Sequence, residues 1–320
     1  MTVDAQSMAT TVIVNERAGG GATMDCFRRV EYRLFELLGD FDLAFTESPG
    51  HATELVREAI EKGAKRIVIG GGDGTVNEAI NGFFDPSGQP IGADTILGLL
   101  PGGTGGDLRK SLGIPDEATA LTVLEAGHTH PCDVGLLTYR DDRGNRCRRH
   151  FINIASFGFS GTVDRFVSTF SALPGQWAYL AATARALLDY TNPTVKLVID
   201  DHFEAEAPIT TVAVANGKFF GAGMKVAPGA LLDDGLFNVT ILGAMSRLEL
   251  VGLARSIYDG SHVNDAKVLT RVGKVVEASS DEEVPLDVDG EALGWLPARF
   301  EMLPAALRIL TPSSFPGRSP

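Results

Sequence analysis

RIVIGGGDGTVNEAINGF, residues 66–83, is the stretch on which the reading of this chain turns. Arg66–Ile69 is a short β-like run, a group of glycines follows, and a helical pattern continues through Phe83. A strand that breaks at glycines and passes straight into a helix leaves main-chain N–H groups facing whatever lies beyond its end. The arrangement recurs on both sides. Upstream, Thr11–Val14 runs into Ala18-Gly-Gly-Gly21, and from Asp25 the positions Phe27, Val30, Leu34, Leu37 and Leu38 keep helical spacing. Phe41–Phe45 reads as the next strand. Thr46-Glu-Ser-Pro-Gly-His51 then leads into a helix with Leu55, Val56, Ala59 and Ile60 on one face and Gly63 as its stop. Downstream, Ile96–Leu100 runs into Pro101-Gly-Gly-Thr-Gly-Gly-Asp107. This βαβα order predicts a parallel sheet covered by helices on both faces.

Ligands of such sheets bind beyond the carboxyl ends of the strands, where all three glycine loops fall. A helix N-terminus carries partial positive charge and suits a phosphate. Thr75-x-x-Glu78 and Thr104-x-x-Asp107 have the spacing of capping boxes. A plain turn explains any one glycine loop; three that converge argue for phosphate binding. There is no GxxxxGK[ST], no GxGxxG between strand and helix, and no HRD or DFG. The Walker, Rossmann and protein-kinase fingerprints are therefore absent.

After about Pro131 the texture changes. Thr194–Ile199, Thr210–Ala215, Phe237–Leu242, Val284–Val288, Arg299–Leu303 and Leu307–Leu310 are short β-like runs separated by turn residues, as in an antiparallel sandwich or barrel. Helical patches remain at Gln176–Leu188 and Ser246–Tyr258. The 320 residues suit two domains, an α/β domain over 1–130 and a β-rich domain over 131–309, with a tail at about 310–320 packing back on the first. With 44% apolar and 22% charged residues the chain reads as globular. A formal charge of −13 argues against nucleic acid as partner, though amides and magnesium can still hold phosphates. Cys26, Cys132 and Cys147 form no CxxC pair, and the histidines lack zinc spacing, so a reducing compartment without structural zinc is expected. The start lacks a basic n-region and no apolar run reaches about 18 residues, which predicts a cytoplasmic protein with at most peripheral contact at the inner membrane face.

The middle loop, GGGDGTVNEAINGF, resembles the signature of the diacylglycerol kinase catalytic domain, shared by bacterial diacylglycerol kinases, sphingosine kinases and ceramide kinases. The GGDGT core alone is also similar to NAD kinases and phosphofructokinase-like proteins. Further blocks narrow it: Thr46-Glu-Ser-Pro-Gly-His-Ala52, Leu100-Pro-Gly-Gly-Thr-Gly-Gly-Asp107, Val214-Ala-Asn-Gly217, Gly221-Ala-Gly223, Ala227–Leu236 and Asp287-Val-Asp-Gly-Glu291 resemble family segments in the family's order. Two positions depart. Glu16 follows Asn15 where the family has proline, and Gly106 stands where it has asparagine.

The resemblance implies a cleft between an α/β nucleotide domain and a β-sandwich that admits a lipid. It implies an ATP-dependent lipid kinase acting on diacylglycerol, or on a ceramide or sphingoid base. Nucleotide contacts would come from Asn15, Gly19, Thr46, Gly71, Gly72, Asp73, Gly74, Thr75, Val76, Asn77, Gly103 and Thr104, with Asp73 close to a catalytic Mg2+. Glu291 would accept the proton of the acceptor hydroxyl, and Asp289 would orient it or bind metal; read from the residues alone, Asp289-Gly290 is a hairpin turn, and only the resemblance reverses that reading. Asp233-Asp234-Gly235 reads as a turn, while the resemblance implies a structural magnesium held by Asp234 and the carbonyls of Leu231 and Leu236. Arg109, Lys110 and Lys225 read as solvated charges or phosphate contacts, and His51 as a cap. Arg140, Arg143, Arg146, Arg148 and Arg149 crowd one hairpin that could meet anionic headgroups or merely be solvated. Trp177, Leu180, Ala184, Leu187 and Leu188 share a helical face that reads as core. A homodimer is compatible with the sequence. The rival readings are an NAD kinase-like enzyme with a soluble acceptor and a non-catalytic nucleotide- or lipid-binding regulator.

Overall fold

The computed structural model describes residues 8–102, 106–170 and 175–315. The first lobe alternates β1 (Thr10–Val14), α1 (Ala22–Leu38), β2 (Asp42–Phe45), α2 (His51–Glu61), β3 (Arg66–Gly71), α3 (Asp73–Gly82), β4 (Ile96–Pro101), α4 (Asp107–Ser111) and α5 (Glu117–Ala126). β1 and β3 are buried along their whole length, as strands covered on both faces must be. The parallel order is β2-β1-β3-β4. The chain leaves β1 toward β2 on one side and returns to β3 on the other. The loops after β1 and β3 therefore diverge, and a crevice opens at that switch point.

The second lobe comprises β5 (Thr129–Asp141), β6 (Arg146–Phe151), β7 (Ile154–Gly158), α6 (Phe159–Val167), α7 (Gly175–Asp189), β8 (Thr194–Ile199), β9 (Phe203–Ala215), β10 (Phe237–Gly243), α8 (Arg247–Asp259), β11 (Val268–Gly273), β12 (Val275–Ser279), β13 (Pro285–Val288) and β14 (Glu291–Leu310). Its ladders close on themselves: β14 pairs β12, then β8, β9, β7 and β13 follow, and β13 returns to β14, antiparallel throughout. Phe157, Val214, Leu286 and Phe300 fill the space between the two faces of this flattened sandwich.

β14 joins the lobes. Its start belongs to the sandwich, while Arg308 and Ile309 lie parallel beside Ile96 and Leu97 of β4. Leu307, Ile309 and Leu310 enter the first core, and Phe315 packs against it. β5 runs antiparallel along β14, with Cys132 and Val134 in the first core and Leu137 in the second. A boundary near residue 130 thus falls at the start of a strand that both cores share.

Three features differ from expectation. Arg299–Leu303 and Leu307–Leu310 are one strand interrupted at Leu303/Leu307, where Ala305 has a φ of 50°. The expected arginine hairpin forms as β5–β6, but its strands are longer than the polar stretch suggested, reaching back to Thr129 and on to Phe151. The helix around Trp177–Leu188 forms, but its face is reversed. Ala178, Ala182 and Ala186 are buried, while Trp177, Leu180, Ala184 and Leu188 point outward. Small alanines let α7 lie close on α6, against Val163 and Phe166, and the large residues are left outside.

Gly71 shows how tightly the second glycine loop is packed: a methyl group there would stand 2.5 Å from Thr75 Cβ. Gly71→Ala is expected to destabilise the protein by about 1–3 kcal/mol, as overpacking does. Gly252→Ala, in α8 with nothing within 4 Å of the added carbon, should stabilise it by up to about 1 kcal/mol. Urea denaturation of both variants checks the pair.

Candidate active site

The ends of β1, β2 and β3 bring their loops together. Asn15 donates from Nδ2 to Thr75 Oγ1 at 2.9 Å, its Oδ1 accepts from Arg17 N at 3.1 Å, and its own N–H bonds Gly70 O at 2.9 Å. Thr46 N bonds Val14 O at 3.0 Å, which sets it beside Asn15. Gly19 and the two glycines after it have positive φ, as a tight turn of this kind demands. Gly103 and Thr104 lie outside the described residues, so the third loop is represented by Gly102 and Gly106. A side chain at Gly102 would collide with Thr23, 2.3 Å from its Oγ1.

The Thr75-x-x-Glu78 capping box is not formed as the spacing suggested, and Thr104 of the other lies outside the described residues. α3 begins at Asp73 with Gly72 as its N-cap and no side-chain cap. The Thr75 hydroxyl is occupied by Asn15, and Glu78 Oε2 accepts from Ala52 N at 3.4 Å. Asp107 pairs with Lys110 at 2.9 Å and accepts from Ala222 N at 2.9 Å. The cap of α4 comes instead from another loop: Asp73 Oδ2 accepts from Gly106 N at 2.8 Å and Asp107 N at 3.0 Å, and Oδ1 from Leu108 N at 3.2 Å. One carboxylate thereby locks the second glycine loop to the third.

Asn77 turns toward the second lobe. Its Nδ2 donates to Asp289 Oδ2 at 2.8 Å and His150 O at 3.1 Å, and its Oδ1 accepts from Arg149 Nε at 2.6 Å. Asn81, one turn on, donates to His150 O at 3.0 Å and accepts from His150 N at 2.9 Å. Asp289 Oδ1 accepts from Ile154 N at 2.9 Å. Asp289 and Gly290, with φ of 49° and 85°, make the two-residue turn between β13 and β14. The hairpin-turn reading of this dipeptide holds, and the turn presents Asp289 and Glu291 toward the first lobe. Glu291 Oε2 bonds Arg149 Nη2 at 2.9 Å, and a methyl group on Gly74 would stand 3.1 Å from Glu291 Oε1. The late acidic motif thus lies over the glycine loop.

A cavity of about 160 Å3 adjoins this point, lined by Asp73, Asp107, Asp164, Asp287, Asp289 and Tyr179 among others. Asp73 also lines the crevice formed by Gly71, Gly72, Val76 and Pro101, so it stands at the junction of the two. Burial pushes the Asp289 carboxyl up to about 7, although part of its surface faces the cavity. Burial raises the pKa of both Asp287 and Asp164, the Asp164 charge raises Asp287 further, and Ser156 Oγ, 2.6 Å away, partly offsets this at Asp287. Burial also raises Asp107 and Glu291, against the pull of Lys110 and Arg149 respectively. So much carboxylate in one cavity suits a divalent cation and magnesium's oxygen preference. Among the described residues no three such groups converge into a ready cage. An ion here would complete its shell with phosphate oxygens and water.

Asp164, Tyr179, Asn81 and Arg149 were not singled out as site residues in the sequence. Asp287, two positions before Asp289, was the available signal for that strand. Arg149 stood among hairpin arginines suited to headgroups, yet it faces Glu291, and Arg148 Nη1 bonds Ser87 O at 3.0 Å. Elsewhere, His51 Nδ1 accepts from Glu47 N at 3.0 Å, a local cap. At the Asp233-Asp234-Gly235 turn, His130 Nε2 lies 2.6 Å from Asp233 Oδ2, Asp234 Oδ1 accepts from Leu236 N at 3.0 Å, and Asp133 Oδ2 accepts from Gly235 N at 2.6 Å. Leu231 lies in the segment leading into this turn.

Residues 9–137 match the diacylglycerol kinase catalytic domain, and residues 153–311 match the YegS C-terminal NAD kinase beta sandwich-like domain. A diacylglycerol kinase of Staphylococcus carnosus is 31% identical over 271 residues, covering 83% of each chain. One from Mycobacterium tuberculosis is 28% identical over 304 residues, covering 94% of each. A crystal structure from Bacillus anthracis, of a protein provisionally called a diacylglycerol kinase, superposes with a TM-score of 0.76 at 24% identity, over 96% of this chain and 98% of that one.

The raised carboxyls carry a consequence for stability. The folded protein keeps the Asp164 proton above the ordinary carboxylate pKa of about 4, and the unfolded chain does not. Stability from this group is therefore full below about pH 4 and falls as pH rises through the folded pKa. Asp164→Asn cannot ionise, so it should melt at a higher temperature than the parent at neutral pH, with the difference vanishing near pH 4. Thermal melts across that range check it.

Proposed function

The chain belongs to the diacylglycerol kinase family, and from that membership we propose transfer of the γ-phosphate of ATP to a lipid hydroxyl. Diacylglycerol is the first choice of acceptor; a ceramide or sphingoid base is the next to assay. The observation that carries this reading is the Glu291 carboxylate over Gly74, where a group from the second lobe meets the phosphate-facing loop of the first. The diverging strand ends favour nucleotide phosphates on the loops at Asn15–Gly19, Thr46 and Gly71–Thr75, continued by Gly103–Thr104.

Phosphoryl transfer needs positioning and charge neutralisation above all. Mg2+ bound with the nucleotide would neutralise phosphate charge, and Asp73 is the residue we assign to it. Glu291 is assigned as the base that takes the acceptor proton. Asp289 has both oxygens engaged, by Ile154 N and Asn77 Nδ2, which favours it as the brace. Burial raises the Glu291 pKa while the Arg149 guanidinium restrains the rise, which favours a carboxylate that accepts a proton near neutrality. A structural magnesium at Asp234 with the carbonyls of Leu231 and Leu236 remains part of the proposal.

Labelled ATP with vesicles carrying diacylglycerol, ceramide or sphingoid base, and NAD in a parallel reaction, tests the substrate. Phosphatidic acid is the expected product; label in NAD alone would overturn the proposal. Glu291→Gln should slow transfer about 10²–10⁴-fold, the usual worth of a general base, with nucleotide binding unchanged. Arg149→Met removes the cation that restrains the burial-raised pKa of Glu291, so the acidic limb of the pH–rate profile should move to higher pH.

A further inference from the structure

The His150 ring is a second-lobe side chain set into the first lobe. It stands near the end of β6, is 5% exposed, and lies flat on Phe84 with ring centroids 3.8 Å apart and planes 7° from parallel. Phe84 follows α3 and is wholly buried. Its carbonyl accepts from Arg57 Nε at 3.2 Å and Nη2 at 3.1 Å. The imidazole edge meets the turn that comes next: a methyl group on Gly88 would stand 4.0 Å from both Cε1 and Nε2. Asp85 fixes that turn, its Oδ1 accepting from Ser87 N at 2.8 Å and Gln89 N at 2.9 Å. Each member of the stack is therefore firmly mounted, one on each lobe.

The ring serves through its shape. Its Nε2 is buried with no hydrogen-bond partner among the described residues. Burial first, and then the charges of Arg148, Arg149 and Arg57, lower its pKa to about 4, so the imidazole is neutral near pH 7. It lines neither the acidic cavity nor the crevice of the glycine loops, and so it meets no reacting group. What it covers is the set of polar bonds that carries Glu291. Asn81 binds both the N–H and the carbonyl of His150, and Asn77 binds that carbonyl as well. The neighbouring Arg149 spans from Asn77 Oδ1 to Glu291 Oε2. Such bonds are exchanged for bonds to water at little net cost wherever water can enter. A packed ring gains nothing comparable from water.

We propose that His150 is a positioning residue: its stack on Phe84 seals the lobe junction against water and thereby holds Arg149 where it fixes Glu291 over Gly74. The catalytic consequence rests on Glu291 as the proposed base; the sealing is measured without substrate.

Amide hydrogen exchange of the full chain, free of nucleotide and lipid, tests the seal. His150→Ala leaves a ring-sized void beside Asn81. Exchange should quicken at His150 and Ile154, whose N–H groups bond Asn81 and Asp289, by about tenfold or more beyond any change at Val12 and Val68. Equal acceleration at all four would mark a general loss of stability and overturn the proposal. With ATP and diacylglycerol vesicles, kcat of His150→Ala should fall by up to about 10²-fold with KM for ATP unchanged, because the displaced group is the base and not the nucleotide loops. His150→Phe keeps the plate and drops the unpartnered nitrogen, so it should restore the parent kcat. His150→Ala/Arg149→Met should fall no further than Arg149→Met alone, since both act through one guanidinium. Phe84→Leu, made from the other lobe, should give the same split of kcat from KM if the alanine variant does not fold. A His150→Phe enzyme that folds and is slow overturns the proposal, as does an additive loss in the double variant. If the parent transfers no phosphate, the kinase reading fails while hydrogen exchange still decides the seal.

Discussion

One buried amide, that of Asn77, holds the two lobes in register. Its donors go to Asp289 and the His150 carbonyl, and its acceptor goes to Arg149, which in turn holds Glu291. A buried amide stripped of such partners costs roughly 1–3 kcal/mol, so the lobes separate only against a penalty. Because Asn77 stands in the first turns of α3, immediately after the glycine loop, any shift of the second lobe is felt at that loop. The positions of Glu291 over Gly74 and of Asp289 beside Ile154 follow from this bond set.

The cleft is acidic where its ligands would be anionic. The polarity is resolved by which atoms meet the phosphates. In the function proposed here these would be main-chain amides freed by glycine on the first lobe, while carboxylates gather at the junction, where a divalent ion could stand between like charges. Asp73 shows the division within one residue. Its oxygens satisfy three amides of the α4 terminus, and the same side chain lines both crevice and cavity.

The first lobe was legible in the sequence because its strands are short, continuously apolar and closed by glycine, and each helix follows its strand locally. Asp73, Asp289 and Glu291 were reachable only through resemblance to a family, and no spacing rule brings residues 73 and 291 together. Asn81 and Arg149 act through partners more than sixty residues away, which a local pattern cannot express. α7 misled for a physical reason. Periodicity reports that two faces of a helix differ, and the usual assumption places the larger apolar residues inside; here alanines face inward because α6 lies too close for anything larger. The hairpin of β5 and β6 was anticipated at its arginines, but the length of its strands was not, because charged residues mask the alternation.

β14 has a bearing on how the polypeptide reaches its native state during synthesis. The strand flanking β4 in the first lobe is made of residues 308 and 309, so the ribosome completes that lobe's sheet only after the strands of the second lobe. Until then β4 presents an unpaired border able to capture a strand from a neighbouring nascent chain. Premature termination anywhere before β14 leaves both the sandwich ring and that border open, so truncated products are candidates for aggregation and quality-control degradation rather than for a surviving half-enzyme.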